Sequence, residues 1–312
     1  MQNPILSVCI ITYNQVNYIT KTIESIINQQ TNFNFEIIIS NDASTDNSND
    51  VIKLIFKNYK SKASKINIRY FNHKENLGMI PNFLFALNKC EGRYIALCEG
   101  DDYWIDPLKL QKQVDFLETH DDFSGVATNS EIMYENSNKP KQLFKKHGEV
   151  ILSLNDLLGS RPFHTATFVF RKKAFQPDFP LNILSADRAL YLLVASFGKI
   201  KLLSDVSAVY RKNEGGISRR VTSQQMKRDY NMIPFIKKYN QNFNVYKLKA
   251  FIAYTVLAYS HTIYLGDFMK GALKYLYYGY LSEKKTRTKS HYRHLIKRLK
   301  LVKHAMGKVR VL

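Results

Sequence analysis

Glu99, Asp101 and Asp102 set three carboxylates within four positions, directly after the apolar run Ile95-Ala96-Leu97-Cys98 and just before Tyr103 and the only tryptophan, Trp104. Carboxylates this close repel one another unless something cationic neutralises them, and a hard divalent ion that also holds a phosphate does this well. An unbroken apolar run is the pattern of a strand buried on both faces. A strand that delivers acids to its carboxyl end suits an open α/β sheet, where ligands bind beyond the strand ends. The same residues also read as an acidic turn before a helix that Asp106-Pro107 begins. The rest of the chain has to decide.

The elements that would position these acids are legible upstream. Ile5 to Ile11 reads as a buried strand, ended by Thr12-Tyr13-Asn14. A helix follows from Val16 to Gln29, with Ile19, Ile23, Ile26 and Ile27 on one face. Phe35 to Ile39 is a second strand, running into Ser40-Asn41-Asp42-Ala43-Ser44-Thr45-Asp46, a polar cluster that also caps a helix from Asn49 to Tyr59. Ile66 to Phe71 is a third strand, followed by Asn76-Leu77-Gly78 and a helix from Pro81 to Lys89. The order βαβαβαβ predicts an α/β fold with a mostly parallel sheet and covering helices. It also places three polar strand ends on one sheet edge. Further along, the pattern predicts a helix from Pro107 to Thr119, a strand from Ser124 to Ile132 and a mobile polar excursion from Glu135 to Lys146. It then gives His164 leading into a strand at Phe168-Val169-Phe170, a helix opened by Asp187 and running through Phe197, and a strand at Val206 to Tyr210. A flexible loop follows at Arg211-Lys212-Asn213-Glu214-Gly215-Gly216.

Charge divides the chain. Its net charge is +20, of which residues 221–312 carry +16 from 19 Lys and Arg against three acids. The expected organisation is a mixed α/β domain at 1–220 and a basic helical region at 221–312. Cys9, Cys90 and Cys98 are odd in number, and Cys9 and Cys98 lie in apolar runs, which predicts reduced thiols in a cytosolic protein. Met1-Gln2-Asn3-Pro4 leads straight into the first strand, so no leader is expected. The apolar stretch from Ala250 to Leu265 contains Ser260, His261 and Thr262, and reads as a buried core helix rather than a membrane span.

Taken in order, six of these pieces resemble the family 2 glycosyltransferases with the GT-A fold: Ser7 to Asn14, Ile37 to Asp46, Asn76-Leu77-Gly78, Glu99 to Trp104, Asp187 at a helix start, and Tyr210 to Gly216. The resemblance covers residues 5 to 216. Its version with Glu-Gly-Asp-Asp-Tyr-Trp is similar to bacterial enzymes that build surface polysaccharides such as capsule or lipopolysaccharide. It implies an inverting transferase that takes a sugar from a nucleotide-diphosphate sugar, UDP-linked by expectation, to a hydroxyl of a glycan or lipid-linked acceptor.

The resemblance also implies roles. Thr12, Tyr13, Asn14, Asn41, Asp42, Asn76, Gly78, Asp101, His164 and Arg211 would bind the donor, with Tyr13 against the base and Asp42 accepting from a uracil imide. Asp101 and Asp102 would hold Mn²⁺ or Mg²⁺. Asp187 would be the base that deprotonates the acceptor hydroxyl; read without the family it is a helix cap. His164 would lie near acceptor or diphosphate, and Arg211 would reach the diphosphate or remain a surface charge. The chain departs from the family at Asn41, where an Asp is usual, at Ala43, Glu99 and Ala186, and at Asn213, where many members carry a His that ligates metal in some of them.

The tail lies outside this resemblance. Its last helix sets Tyr292, Leu295, Ile296, Leu299, Val302 and Met306 against a cationic face. The favoured reading is peripheral attachment to the anionic inner face of the cell membrane. The other readings are a helical bundle for partner or self-association, hence a homo-oligomer, and nucleic-acid binding, for which no recognition motif is present. A nucleotidyltransferase would want a Gly-rich basic loop after the first strand, and Thr12-Tyr13-Asn14-Gln15 is neither. The alternative from another class is a non-catalytic binder: a degenerate transferase fold or a basic nucleic-acid-binding protein.

Overall fold

The first strand has no face to spare for water: Leu6, Val8 and Ile10 are buried, and so are Ser7 and Cys9 between them. Such a strand has to lie inside a sheet covered on both sides. The computed structural model places it there. It describes residues 3–60, 66–146, 148–213, 221–259, 264–283, 289–307 and 309, with the backbone alone for residue 60 and residues 289–295. Two compact units separate: Met1–Ser153 with Pro162–Phe179 and Leu193–Glu214, and Leu154–Arg161 with Pro180–Leu192 and Gly215–Leu312.

The first unit opens with β1 (Leu6–Thr12), α1 (Val16–Ile27), β2 (Phe35–Asn41), α2 (Ser48–Lys60), β3 (Ile66–Asn72), α3 (Met79–Lys89) and β4 (Tyr94–Glu99). It continues through β5 (Tyr103–Trp104), α4 (Lys109–Thr119), β6 (Phe123–Tyr134), β7 (Gln142–Leu143), β8 (Val150–Leu152), β9 (Val169–Arg171) and β10 (Lys199–Lys212). The strands form one sheet in the order β3-β2-β1-β4-β9-β6-β10-β5, with β7 on β6 and β8 on β10. Neighbours from β3 to β4 are parallel, as are β6 and β10; β9 is antiparallel to both β4 and β6. This is the expected α/β sheet. The register pairs Ile11 with Glu99, Thr12 with Asn41, and Asn41 with Asn72, so the polar strand ends do share one edge. Helix α1 seals one face by burying Ile19, Ile23 and Ile26 completely. Each such side chain is worth roughly 1.5–3 kcal/mol, which fixes the helix against the sheet.

Several element ends differ from the expectation for local reasons. Helix α1 stops at Ile27 because Gln29 turns inward, its amide donating to Asp106 O and accepting from Leu110 N. Helix α4 starts at Lys109, not Pro107, because the Asp106 carboxylate accepts from Leu108 N. The helix opened near Asp187 ends at Val194, and the amides of Ser196 and Phe197 close it with turns onto Leu193 O and Val194 O. The strand foreseen at 206–210 is the longer β10; Lys199, Lys201 and Asp205 hid its start by breaking the apolar run. The excursion after Glu135 contains β7, paired with β6. All three cysteines are buried and free.

The second unit is helical: α5 (Leu154–Leu157), α6 (Ala186–Val194, up to Leu192), α7 (Ser223–Met226), α8 (Met232–Tyr239), α9 (Val245–Ala258), α10 (Leu265–Ser282) and α11 (Lys289–Met306). Its core joins Ala253, Val256 and Leu257 of α9 to Phe268, Ala272 and Tyr275 of α10, with Val302 and Ala305 of α11 packed against them. The stretch from Ala250 to Leu265 is therefore not one buried helix. Helix α9 ends at Ala258, residues 260–263 lie outside the described residues, and Leu265 opens α10 half exposed. The Gly215-Gly216 loop also lies outside them. Of the apolar stripe read on α11, Val302 packs inward while Ile296, Leu299 and Met306 are exposed; the side chains of Tyr292 and Leu295 lie outside the described residues. Among the described residues no helix is long and apolar enough to cross a membrane.

Candidate active site

The acidic turn is built from below by α1. Thr22 sits on the buried face of that helix, and its hydroxyl lies 2.9 Å from Gly100 O and 2.6 Å from Asp102 O. Gly100 N–H donates to Ile11 O, which ties the turn to β1. A Cβ on Gly100 would stand 2.3 Å from Gln15 Oε1 and 2.9 Å from Thr12 Cβ. Gln15 can swing away, but Thr12 Cβ cannot, so only glycine lets the turn close over the end of β1. Gly100→Ala should cost about 1–3 kcal/mol by overpacking and displace the acids. Thermal melting in parallel with nucleotide titration checks this; an alanine variant as stable and as responsive as the native chain would contradict it.

The Asp102 N–H donates to Glu99 O, closing a turn that brings residues 99 and 102 together. One ligand atom each from Glu99, Asp102 and His164 lie within 4.8 Å of one another. Asp102 is buried; its Oδ1 accepts from Arg211 N–H at 2.9 Å, and its Oδ2 lies 3.6 Å from His164 Nε2. His164 is held by stacking on Tyr210, 4.1 Å between ring centres, and its Nδ1 accepts from Ala166 N–H. Asp101 stands apart from that trio: its Oδ2 accepts from Asn213 Nδ2 at 3.0 Å. The two acids expected as metal ligands have different surroundings in this fold. Asp102 is grouped with Glu99 and His164, and Asp101 is paired with Asn213. Burial raises both carboxyls above the usual carboxylate range, and for Asp102 the charges of Asp101 and Glu99 raise it further. This is the environment that a hard cation relieves, and the oxygen and imidazole donors suit Mn²⁺ or Mg²⁺.

Arg211 does not present itself as an exposed clamp. It is buried, donates from Nη1 to Asp101 O at 2.8 Å, and lays its guanidinium over Tyr103 and Tyr18 at 4.5 and 5.3 Å. It braces the turn. Tyr18 donates to Glu135 at 2.5 Å; burial first and Glu135 second push its phenol up to about 12. Tyr18, Glu135, Gln15 and Thr22 were not foreseen. Only Thr22 had a signal, being a hydroxyl residue in register with Ile19, Ile23 and Ile26.

At the ends of β1 and β2, Tyr13 is 45% exposed and open to a stacking partner. Asn14 has φ 52° and accepts through Oδ1 from Thr45 N–H, while its own N–H donates to Ser44 Oγ. Thr12 is buried and donates to Gln15 Oε1. Asn41 is wholly buried and fully engaged: its amide donates to Tyr70 OH and Asn72 Oδ1 and accepts from Ser44. It shapes the turn and presents no surface to a ligand. Asp42 takes one hydrogen bond on each oxygen, from Leu77 N–H at 2.7 Å and Gly78 N–H at 3.0 Å. Asn76 donates to Asp42 O, and Gly78 holds φ 90°. Positive φ at Asn14 and Ala43 places strained backbone at this edge, beside the positive φ that Gly78 adopts freely.

Asp187 belongs to the second unit, in the first turn of α6. Its Oδ1 accepts from the Arg188 N–H at 2.7 Å and its Oδ2 pairs with Arg161 Nη2 at 2.7 Å, leaving the side chain 27% exposed. Nearby, Asp229 is spent on the chain itself, accepting from Leu184 N–H, Ser185 N–H and Ser185 Oγ.

Known proteins supply the family. The profile of glycosyl transferase family 2 matches residues 7–179. An uncharacterized protein of Mycobacterium bovis is 34% identical over 212 residues, covering 68% of this chain and 60% of the relative, so the chain spans less than two thirds of that relative's length. The crystal structure of S. aureus TarS 1-349 in complex with UDP-GlcNAc shares the fold at TM-score 0.65 and 19% identity, covering 88% of this chain and 80% of that 1-349 chain. The mannosyltransferase PcManGT from Pyrobaculum calidifontis, in complex with GDP-Man and Mn²⁺, shares it at TM-score 0.54 and 14% identity, covering 99% and 88%. With the profile spanning more than half of its length, and the acidic turn set at the edge of a GT-A sheet, the chain belongs to glycosyl transferase family 2.

Proposed function

We propose that this chain is an inverting, metal-dependent glycosyltransferase that moves a sugar from a UDP-linked donor to a hydroxyl of a glycan or lipid-linked acceptor in bacterial surface polysaccharide assembly. The observation that carries the reading is the acidic turn, held by Thr22 and Arg211 at the carboxyl edge of a parallel sheet where Tyr13 lies exposed. Donors bound by TarS (UDP-GlcNAc) and PcManGT (GDP-Man) support a nucleotide-sugar at this edge.

In this reading Tyr13 stacks on the base, and Asp42 keeps one further lone pair on each oxygen for an imide while it pins the loop at Asn76 to Gly78. Glu99, Asp102 and His164 would hold Mn²⁺ or Mg²⁺, and Asp101 would meet the ribose hydroxyls or the ion. A divalent ion bound there neutralises charge on the departing nucleotide diphosphate. Asp187 takes the proton from the acceptor hydroxyl, which then displaces the diphosphate with inversion. Product analysis by NMR, on a sugar acceptor with an α-linked UDP donor, tests the stereochemistry. A β-linked product is expected, and an α-linked product would contradict direct displacement.

The second unit suits an anionic membrane surface on the cytoplasmic side, with no nucleic acid. Leu265, Met269, Leu273 and Tyr277 are exposed at four-residue spacing along α10, and Ile296 and Leu299 are exposed three residues apart on α11, within a region of +16 net charge. Apolar side chains beside Lys and Arg are what an anionic headgroup layer rewards, by about 1 kcal/mol per basic residue. Co-sedimentation should show binding to vesicles containing phosphatidylglycerol, weakened by salt, and none to neutral vesicles. Binding to neither, with a stable dimer in solution, would favour self-association.

A further inference from the structure

The candidate base is not alone in its pocket. A cavity of about 110 Å³ in the second unit is lined by Asp187 together with Arg161, Arg188, Tyr191, Asp229 and Phe251. Arg188 rests its guanidinium on the Phe251 ring at 3.9 Å and makes one hydrogen bond through it, to Leu157 O at 3.3 Å. Burial pulls its pKa down to about 10, the mark of a guanidinium short of solvation. Neither local acid answers it fully. Asp229 has both oxygens committed to Leu184 and Ser185, and Asp187 gives Oδ1 to the backbone of Arg188 and Oδ2 to Arg161.

That last contact matters for the chemistry, because a guanidinium on Oδ2 occupies the atom that would receive the acceptor's proton. Arg161 can leave it most readily for another oxyanion, since its planar fork matches carboxylate and phosphate oxygens equally. We infer that Arg161 and Arg188 form a subsite for an oxyanion carried by the acceptor beside its reacting hydroxyl, and that seating this group draws Arg161 off Asp187 and frees the base. The inference rests on the reading of Asp187 as the base. The shared chemistry is that of a phosphate ester or a sugar carboxylate. In either case the acceptor is an acidic glycan or a phosphate-linked one, and no bond to the anion forms or breaks.

The test uses the full chain, with inorganic phosphate and glucuronate as probes and sodium chloride at matched ionic strength as the control. Saturable thermal stabilisation is expected with at least one probe, and loss of at least tenfold in apparent affinity in Arg161→Gln, whose side chain is 39% exposed and should tolerate the change. A response to phosphate alone assigns the phosphate ester; a response to glucuronate alone assigns the carboxylate; a response to both assigns the oxyanion class. In the presence of donor and Mn²⁺, the same probe should raise donor hydrolysis in the native chain and leave Arg161→Gln unmoved. No saturable response to either probe, or an equal response in Arg161→Gln, overturns the subsite. The two readings fail separately. Probe binding with full transfer activity in Asp187→Asn would sink the base assignment and leave the subsite. Inactive Asp187→Asn without probe binding would do the reverse.

Discussion

Asp187→Asn should lower transfer by about 10²–10⁴-fold, the usual contribution of a positioned general base, while nucleotide binding stays at its native level. The split follows from the structure. The residues read as donor-binding lie in the first unit, and Asp187 lies in the second. Asparagine keeps the size of the side chain and can still accept from the Arg188 N–H through its oxygen, so the start of α6 should persist. The ion pair of Arg161 with Asp187 is lost; since both side chains are partly exposed, the stability cost is small. Steady-state kinetics with a sugar acceptor, beside calorimetric titration of UDP, separates the two effects. A variant that retains transfer, or one that loses nucleotide binding along with it, would remove Asp187 from the role of base.

The second large effect belongs to Asp102. Asp102→Asn should abolish metal-dependent nucleotide binding and with it transfer, yet leave the metal-free protein at least as stable as the native chain at neutral pH. Burial and the charges of Asp101 and Glu99 raise the folded-state pKa of this carboxyl above its unfolded value. A group of that kind is protonated more readily in the folded state. Its contribution to stability is full below the unfolded pKa and is lost as pH rises through the folded one. Removing the charge removes that loss, and asparagine can still accept from Arg211 N–H. Without metal, the native chain should therefore lose melting temperature more steeply than Asp102→Asn as pH rises above the ordinary carboxylate range. Saturating Mn²⁺ should reverse the order at neutral pH, because the ion favours the ionised form. Parallel pH slopes with and without the ion would show that Asp102 does not hold it.

The parts of this fold that were legible share a cause: local pattern is strong where strands are buried on both faces. The apolar runs at β1, β2 and β4, and the polar residues that end them, announce a parallel sheet and the edge where those polar ends meet. The helical face of Ile19, Ile23 and Ile26 announces α1 in the same way. What was not legible depends on partners distant in sequence. That His164 meets Asp102 across 62 positions, and that Asn213 takes Asp101, are products of β9 and β10 inserting beside β4 and β6. No spacing encodes that. Arg211 reads as either a diphosphate contact or a surface charge because its neighbours Lys212 and Asn213 are polar, whereas its partners Tyr18, Tyr103 and Asp101 lie about a hundred or more residues upstream. Of the exposed apolar residues of α10, Leu265 reads as the end of a buried helix from Ala250, while Met269, Leu273 and Tyr277 lie beyond that stretch among polar and small residues that hide their spacing.

The acidic turn is the centre of this account, and the measurement that reaches it most directly is melting temperature against a panel of nucleoside diphosphates with and without Mn²⁺. A ligand that binds only the native state raises the unfolding free energy by mass action, about 2.7 kcal/mol at a hundredfold excess over Kd, and the melting temperature with it. Stabilisation by UDP that requires Mn²⁺ and is absent from Asp102→Asn is the predicted result. A chain indifferent to every nucleotide, with metal and without it, would contradict it.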